Sequence, residues 1–177
     1  MGNIVLEKTS IDYDMSFVYD INWNTYKESL KDIMTEKLKE LHKPYGGMPT
    51  SYNYDNTVIY QKFLNRDEID YELLGKQTGL DVYTISVIQQ RPGNCIPLHI
   101  DKFYKLKKLY PESVGEPVRA NIYIENWKAG HILQFEDELK WEWKKNTGWI
   151  FNEHVKHLSG NCGMENKYTL QLSGFFK

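Results

Sequence analysis

Residues 97–103, PLHIDKF, place a histidine and an aspartate two positions apart in a run that otherwise reads as a buried strand. Side chains at i and i+2 of a strand point the same way, so His99 and Asp101 project together, with Leu98 and Ile100 opposite. One imidazole and one carboxylate then sit side by side, suited to a divalent metal. With five histidines and 24 acidic residues in the chain, a pair of this kind is expected by chance, so its position carries the weight. It follows RPGNCIP, a turn that closes one strand and opens the next. That puts the pair at the start of a strand near a barrel mouth, where ligands bind.

A metal needs a third ligand. His42 falls on a helix and His131 in a turn, which leaves His154 and His157 in FNEHVKHLSGNCGMENKYTLQL. These two differ in parity, so an extended chain turns only one of them inward. Two imidazoles and one carboxylate leave one side of an octahedral ion open, the arrangement of non-haem iron(II) oxygenases, which need a co-substrate. In the segment KYT, Lys167 and Thr169 point the same way on a strand, a cation and a hydroxyl fit to grip a carboxylate. Lys167 lies ten residues after His157.

Several elements must position these groups. In residues 24–43, Tyr26, Leu30, Ile33, Met34, Leu38 and Leu41 recur at helical spacing, and Thr25 with Glu28 forms a capping box, which predicts an amphipathic helix. KPYGGMPTSYNYDN is expected to be a long loop, with Tyr45, Tyr52 and Tyr54 available as a lid. A second helix is expected within 66–79. Seven short β-branched and aromatic runs follow, from DVYTISVIQQ to YTLQLSGFF, and predict a β-sandwich, jelly roll or barrel with helices packed on one sheet. LKWEWK is expected as a half-exposed strand with Leu139, Trp141 and Trp143 on the core face. A lysine-rich helical run at 102–108 is expected to rim the end of the sheet as a solvated face, with steering of an anionic substrate as the alternative.

The 177 residues suit one domain, divided into helical support and loops over 1–80 and a β core over 81–177. A net charge of −2 gives no global reason to bind nucleic acid. Two cysteines without metal-ligand spacing predict a reducing, cytoplasmic setting. The N-terminus shows no signal or membrane-spanning pattern, and Leu6 stands where a myristoylation site needs Ser or Thr.

The order H-x-D, a distal histidine, then a basic residue ten positions later opening an apolar last strand resembles the 2-oxoglutarate- and iron(II)-dependent oxygenases. The match runs from about Tyr83 to Phe175. QQRPGNCIPLHID looks like the Gly-containing turn before H-x-D, and HLSGN with KYTLQLSG looks like H-x-x-x-N followed by R-x-[ST]-L-x-[IL]. VRANIYIENWKAGHILQFED is similar to the middle strands of small members near the aspartyl/asparaginyl and prolyl hydroxylase branches. Two positions depart from the pattern: Lys167 replaces the usual Arg, giving a point charge instead of a bidentate fork, and Trp149 stands where a Gly-Asp pair is common.

The resemblance implies a double-stranded β-helix, a cupin-like jelly roll. It implies His99, Asp101 and His157 as iron(II) ligands, Lys167 and Thr169 as the clamp on the far carboxylate of 2-oxoglutarate, and Arg119, Asn121 and Gln90 lining the same pocket. The expected activity is hydroxylation, with 2-oxoglutarate and O2 as co-substrates, of a small molecule or a protein side chain rather than nucleic acid. Oligomeric state and the substrate's identity stay open. Two rivals remain: a cupin-like metal-binding jelly roll that handles a sugar or small acid without 2-oxoglutarate, and a metal-free interaction module.

Overall fold

The computed structural model describes residues 4–29, 36–47, 56–111 and 115–177. Two antiparallel sheets make the architecture. The larger is built from β1 (Leu6–Ser10), β2 (Lys27–Ser29), β3 (Val58–Leu64), β4 (Leu80–Gln90), β6 (Val118–Tyr123), β9 (Thr147–Asn152) and β11 (Lys167–Phe176), in the order β1-β9-β6-β11-β4-β3-β2. The smaller has the order β5-β10-β7-β8, from β5 (Cys95–His99), β7 (His131–Phe135), β8 (Glu138–Lys140) and β10 (His157–Asn161). From β4 to β7, and again from β8 to β11, successive strands alternate between the sheets, the wiring of a jelly roll, while β1 to β3 extend the large sheet and β7 with β8 forms a hairpin in the small one.

Strand parity gives each face of the large sheet its task. On the outer face Ile85, Val87, Ala120, Ile122, Leu170 and Leu172 join Val18, Trp23 and Leu74 in the main apolar core. The cover comes from 3-10 turns at Ser16–Asp20 and Trp23–Tyr26 and from α2 (Tyr71–Thr78). Asp70 caps α2 by accepting the Leu73 N–H (2.9 Å), and Gly79 ends it in the left-handed region. The inner face is mixed: Tyr123, Trp149 and Phe151 pack with Leu133, Phe135, Trp143 and Val155, while Lys167, Thr169, Gln171 and Ser173 of β11 carry polar groups into the space between the sheets. A third helix, α3 (Tyr104–Leu109), seats Leu106 with Phe103, Phe175 and Tyr83 at one end of the large sheet.

Three sequence expectations are corrected. Among the described residues the helix expected over 24–43 appears at Glu36–His42 (α1); Thr25 lies in a 3-10 turn, and Glu28 in β2 pairs with Ile59 of β3. Sheet pairing, with Trp23 in the core, overrides the local helix preference. Leu30, Ile33 and Met34 of that stripe lie outside the described residues, as do Tyr52 and Tyr54 of the expected lid. The strand expected through LKWEWK stops at Lys140; Trp141 is 64% exposed and Trp143 6%. Glu142 adopts φ 52° between them, and this left-handed residue breaks the alternation. Finally, the H-x-D pair lies at the end of β5, not its start.

Candidate metal centre

β5 and β10 pair so that His99 stands directly opposite His157, and their rings approach to 4.1 Å between centroids. The chain leaves β5 at His99 and turns Asp101 back towards both rings. His99 Nε2 lies 3.6 Å from Asp101 Oδ1, and His157 Nε2 lies 3.8 Å from Asp101 Oδ2. One ligand atom from each residue falls within 4.8 Å of the others.

The remaining ring nitrogens explain why these atoms converge. His99 Nδ1 donates to the Pro97 carbonyl (2.8 Å) and His157 Nδ1 to the Val155 carbonyl (3.1 Å). Each bond holds the proton on Nδ1 and aims an Nε2 lone pair at the shared space, the outer-shell device that orients metal-binding imidazoles. Burial and the neighbouring His99 imidazole push His157 down to about 3, so it is neutral and ready to ligate. Burial opposes ionisation of Asp101, but the Arg119 guanidinium and the two imidazoles outweigh it and hold the carboxyl well below the usual range. Arg119 Nη1 donates to Asp101 Oδ2 at 2.7 Å, and its guanidinium lies 5.0 Å over the Phe103 ring. Phe103 itself turns through φ 52°, which starts α3 immediately behind the aspartate. The donor set thus fits a divalent ion.

Further along β10 lies the second group. Lys167, buried to 1% exposure, donates from Nζ to the Ile132 carbonyl (2.6 Å) and to Ser159 Oγ (2.7 Å). Its Nζ sits 5.4 Å from the Tyr123 ring centre and 5.5 Å from that of Trp143. Among the described residues no carboxylate pairs with it, and burial pushes the ammonium down to about 7. Ser159 in turn donates to Gln90 Oε1 (2.6 Å), and Lys167 stands beside Gln90 in the β11–β4 register. Thr169 is buried on the same face of β11, opposite Tyr123.

The structure therefore brings His99, Asp101 and His157 together, with Arg119 holding the aspartate, and sets Lys167, Gln90 and Thr169 further between the sheets. Asn121, between Arg119 and Tyr123 on β6, accepts a hydrogen bond from Gln171 Nε2 (3.1 Å). His154 pairs with Glu116 (2.7 Å) and takes no part in the triad, and His131 bonds the Glu165 carbonyl (3.1 Å). Of the lysine run, Lys107 is held by Glu153 (2.8 Å). Sequence reasoning missed Ser159, although two residues beyond His157 on one strand is a legible spacing. It also missed the carbonyl of Ile132, a backbone group that no side-chain pattern marks.

No protein-family model matches the sequence, and no curated protein matches it. Among solved structures, a prolyl-4-hydroxylase from Pseudomonas putida superposes with a TM-score of 0.56 at 13% identity, covering 98% of this chain and 93% of that one. A predicted oxalate decarboxylase from Thermotoga maritima gives a TM-score of 0.43 at 9% identity, over 67% and 81% of the two chains. The plu4264 protein of Photorhabdus luminescens gives 0.41 at 15% identity, over 72% and 83%. The hydroxylase likeness is one of fold, and it agrees with a double-stranded β-helix. No helix among the described residues is long and apolar enough to cross a membrane.

Proposed function

We propose that this chain is an iron(II)- and 2-oxoglutarate-dependent oxygenase acting as a hydroxylase. The observation that carries the reading is Lys167: a buried cation with no carboxylate partner among the described residues, bonded to a serine two residues along β10 from a metal-ready triad. Two strand residues span about 7 Å, a separation suited to a five-carbon diacid gripped at both ends. Such a diacid brings the missing negative charge.

His99 and His157 through Nε2, and Asp101 through a carboxylate oxygen, would hold the iron. Lys167 and Thr169 would hold the far carboxylate of 2-oxoglutarate, with Gln90 steadying Ser159 beside them. Bound together, iron(II), 2-oxoglutarate and O2 supply an oxidation in which the co-substrate leaves as succinate and CO2 and a substrate C–H becomes C–OH. The protein's part is placement. Arg119 keeps Asp101 ionised and turned towards the histidines, the Pro97 and Val155 carbonyls keep both imidazoles in one tautomer, and Phe135, Phe151, Tyr123 and Trp143 exclude water from the deep end. The expected setting is cytoplasmic, and the expected substrate a small molecule or a protein side chain.

The test is an anaerobic titration of metal-free protein with iron(II) and then 2-oxoglutarate, followed by the visible metal-to-ligand charge-transfer band. The band is expected in the wild type, absent in His157→Ala and weakened in Lys167→Ala, with succinate released once O2 is admitted. Metal binding without a band would favour a cupin-like protein that does not use 2-oxoglutarate. No metal binding would remove the reading altogether.

A further inference from the structure

Each of the five tryptophans carries an indole N–H that needs an acceptor or solvent. Trp23 donates to the Val18 carbonyl (3.1 Å) and Trp127 to that of His131 (2.9 Å). Trp141, Trp143 and Trp149 have no acceptor among the described residues, although Trp143 and Trp149 are only 6% and 7% exposed. Their N–H groups are not sealed from solvent. All three indoles line one groove of about 430 Å³, a volume in the range of small-molecule sites.

The groove lies away from the triad. On β9, Phe151 stands beside His157 with ring centroids 4.6 Å apart, whereas the groove takes Thr147–Trp149, with Lys8–Ser10 of β1 and residues 141–144 after β8. Trp143 is fixed by stacking on Tyr123 (4.0 Å), and Trp149 packs edge-on against the same ring (6.1 Å). Trp141 differs. The left-handed Glu142 beside it turns its indole out of the core and leaves it 64% exposed. A strained residue that holds a large apolar ring in water points to a ligand for that ring.

The rim supplies both polarities. Lys8, Ser10, Glu142 and Lys144 have no side-chain partner among the described residues, and Thr147 Oγ1, which donates to the Lys144 carbonyl (2.7 Å), keeps its capacity to accept. Two cations and a carboxylate stand together, so neither a bare anion nor a bare cation is matched. A flat nucleobase would cover an indole but leave most of these groups unused. A pyranose uses both features: its C–H face lies on an indole, and each of its hydroxyls donates and accepts at once.

We infer that the Trp141 groove is a carbohydrate-binding site, with Trp141 as the stacking platform and the Trp143 and Trp149 N–H groups donating to sugar hydroxyls. The inference is independent of the oxygenase reading, since neither the triad nor Lys167 lines the groove.

The test follows the five indole N–H signals by NMR in isotope-labelled protein during titration with disaccharides of glucose, galactose, mannose, xylose, N-acetylglucosamine and glucuronate, to about ten times a millimolar Kd. At least one disaccharide is expected to shift the signals of Trp141, Trp143 and Trp149 and to leave in place those of Trp23 and Trp127, which are already bonded to carbonyls. Trp141→Ala should weaken that disaccharide about tenfold and Trp141→Phe less, with unmoved Trp23 and Trp127 signals showing that both variants are folded. No shift with any disaccharide, or equal affinity in Trp141→Ala, would overturn the inference. So would the same three shifts produced by nucleosides or N-acetyl dipeptide amides in place of sugars, or by protein concentration alone, which would put a second copy in the groove. The iron and 2-oxoglutarate band should be unchanged in Trp141→Ala, so the two readings fail separately.

Discussion

Lys167 is the residue whose chemistry can be checked most directly, because a buried amine with no carboxylate beside it among the described residues binds its proton weakly. Its folded value of about 7 lies below the ordinary 10.5, so between pH 7 and 10.5 the unfolded chain holds more protons and stability rises with pH. In metal-free wild type, urea unfolding should show stability rising from pH 7 to 9.5, and in Lys167→Met that rise should vanish. An unchanged slope in the variant would show that another group causes it. On the proposed reading, the same proton governs ligand binding: a dicarboxylate needs the ammonium form, so 2-oxoglutarate affinity should fall as pH climbs above 7. A co-substrate Kd constant from pH 6.5 to 8.5 would rule out Lys167 as the clamp. His157 acts in the opposite window. Its value of about 3 lies below 6.5, so the metal-free fold should lose stability as pH falls from 6.5 towards 3, and His157→Phe should lessen that loss. At this scale the sequence showed the triad because residue type and spacing carry it. Ser159 shared that kind of spacing with His157, but its part depends on Lys167, a partner on another strand.

Elements decide how accurately those residues meet, and here two glycines matter. A Cβ at Gly148 of β9 would lie 1.9 Å from the Asn121 carbonyl oxygen, and one at Gly174 of β11 would lie 1.9 Å from that of Asp81. Both contacts are with backbone, which cannot swing aside. Gly148→Ala should therefore cost about 1–3 kcal/mol and push β6 away from β9 at Asn121, two residues from Arg119. Equilibrium unfolding would measure the cost and an iron(II) titration the displacement; a variant as stable as wild type would show that the strands tolerate separation. The seven strands from β4 to β9 and β11, and α2, were legible because alternation and a terminal glycine are local signals; β1 and β3, which fall in the region expected to be helical support and loops, and β10 were not. The failures share one cause: Lys27–Ser29 and the segment after Lys140 obey contacts remote in sequence, β3 pairing in one case and the burial of Trp143 against Tyr123 in the other, with ring centroids 4.0 Å apart.

The molecule separates stability from chemistry by face. The outer side of the large sheet is apolar and covered by the N-terminal turns and α2, whereas the inner side gives its central strands to polar groups around a triad of mutually close ionisable residues. Removing a core side chain should therefore lower stability without changing the site, and filling the site should restore part of what was lost. Leu74, fully buried in the outer core, is the position to test. Leu74→Ala should cost about 2–5 kcal/mol, and a metal present at a hundred times its Kd should return about 2.7 kcal/mol. Thermal unfolding of Leu74→Ala with and without metal should show that gain, and the double variant Leu74→Ala/His157→Ala should show none. If metal stabilises both equally, it binds outside the triad. If it stabilises neither while wild type still responds, the outer core and the inner site are coupled, and the division of labour between the two faces fails.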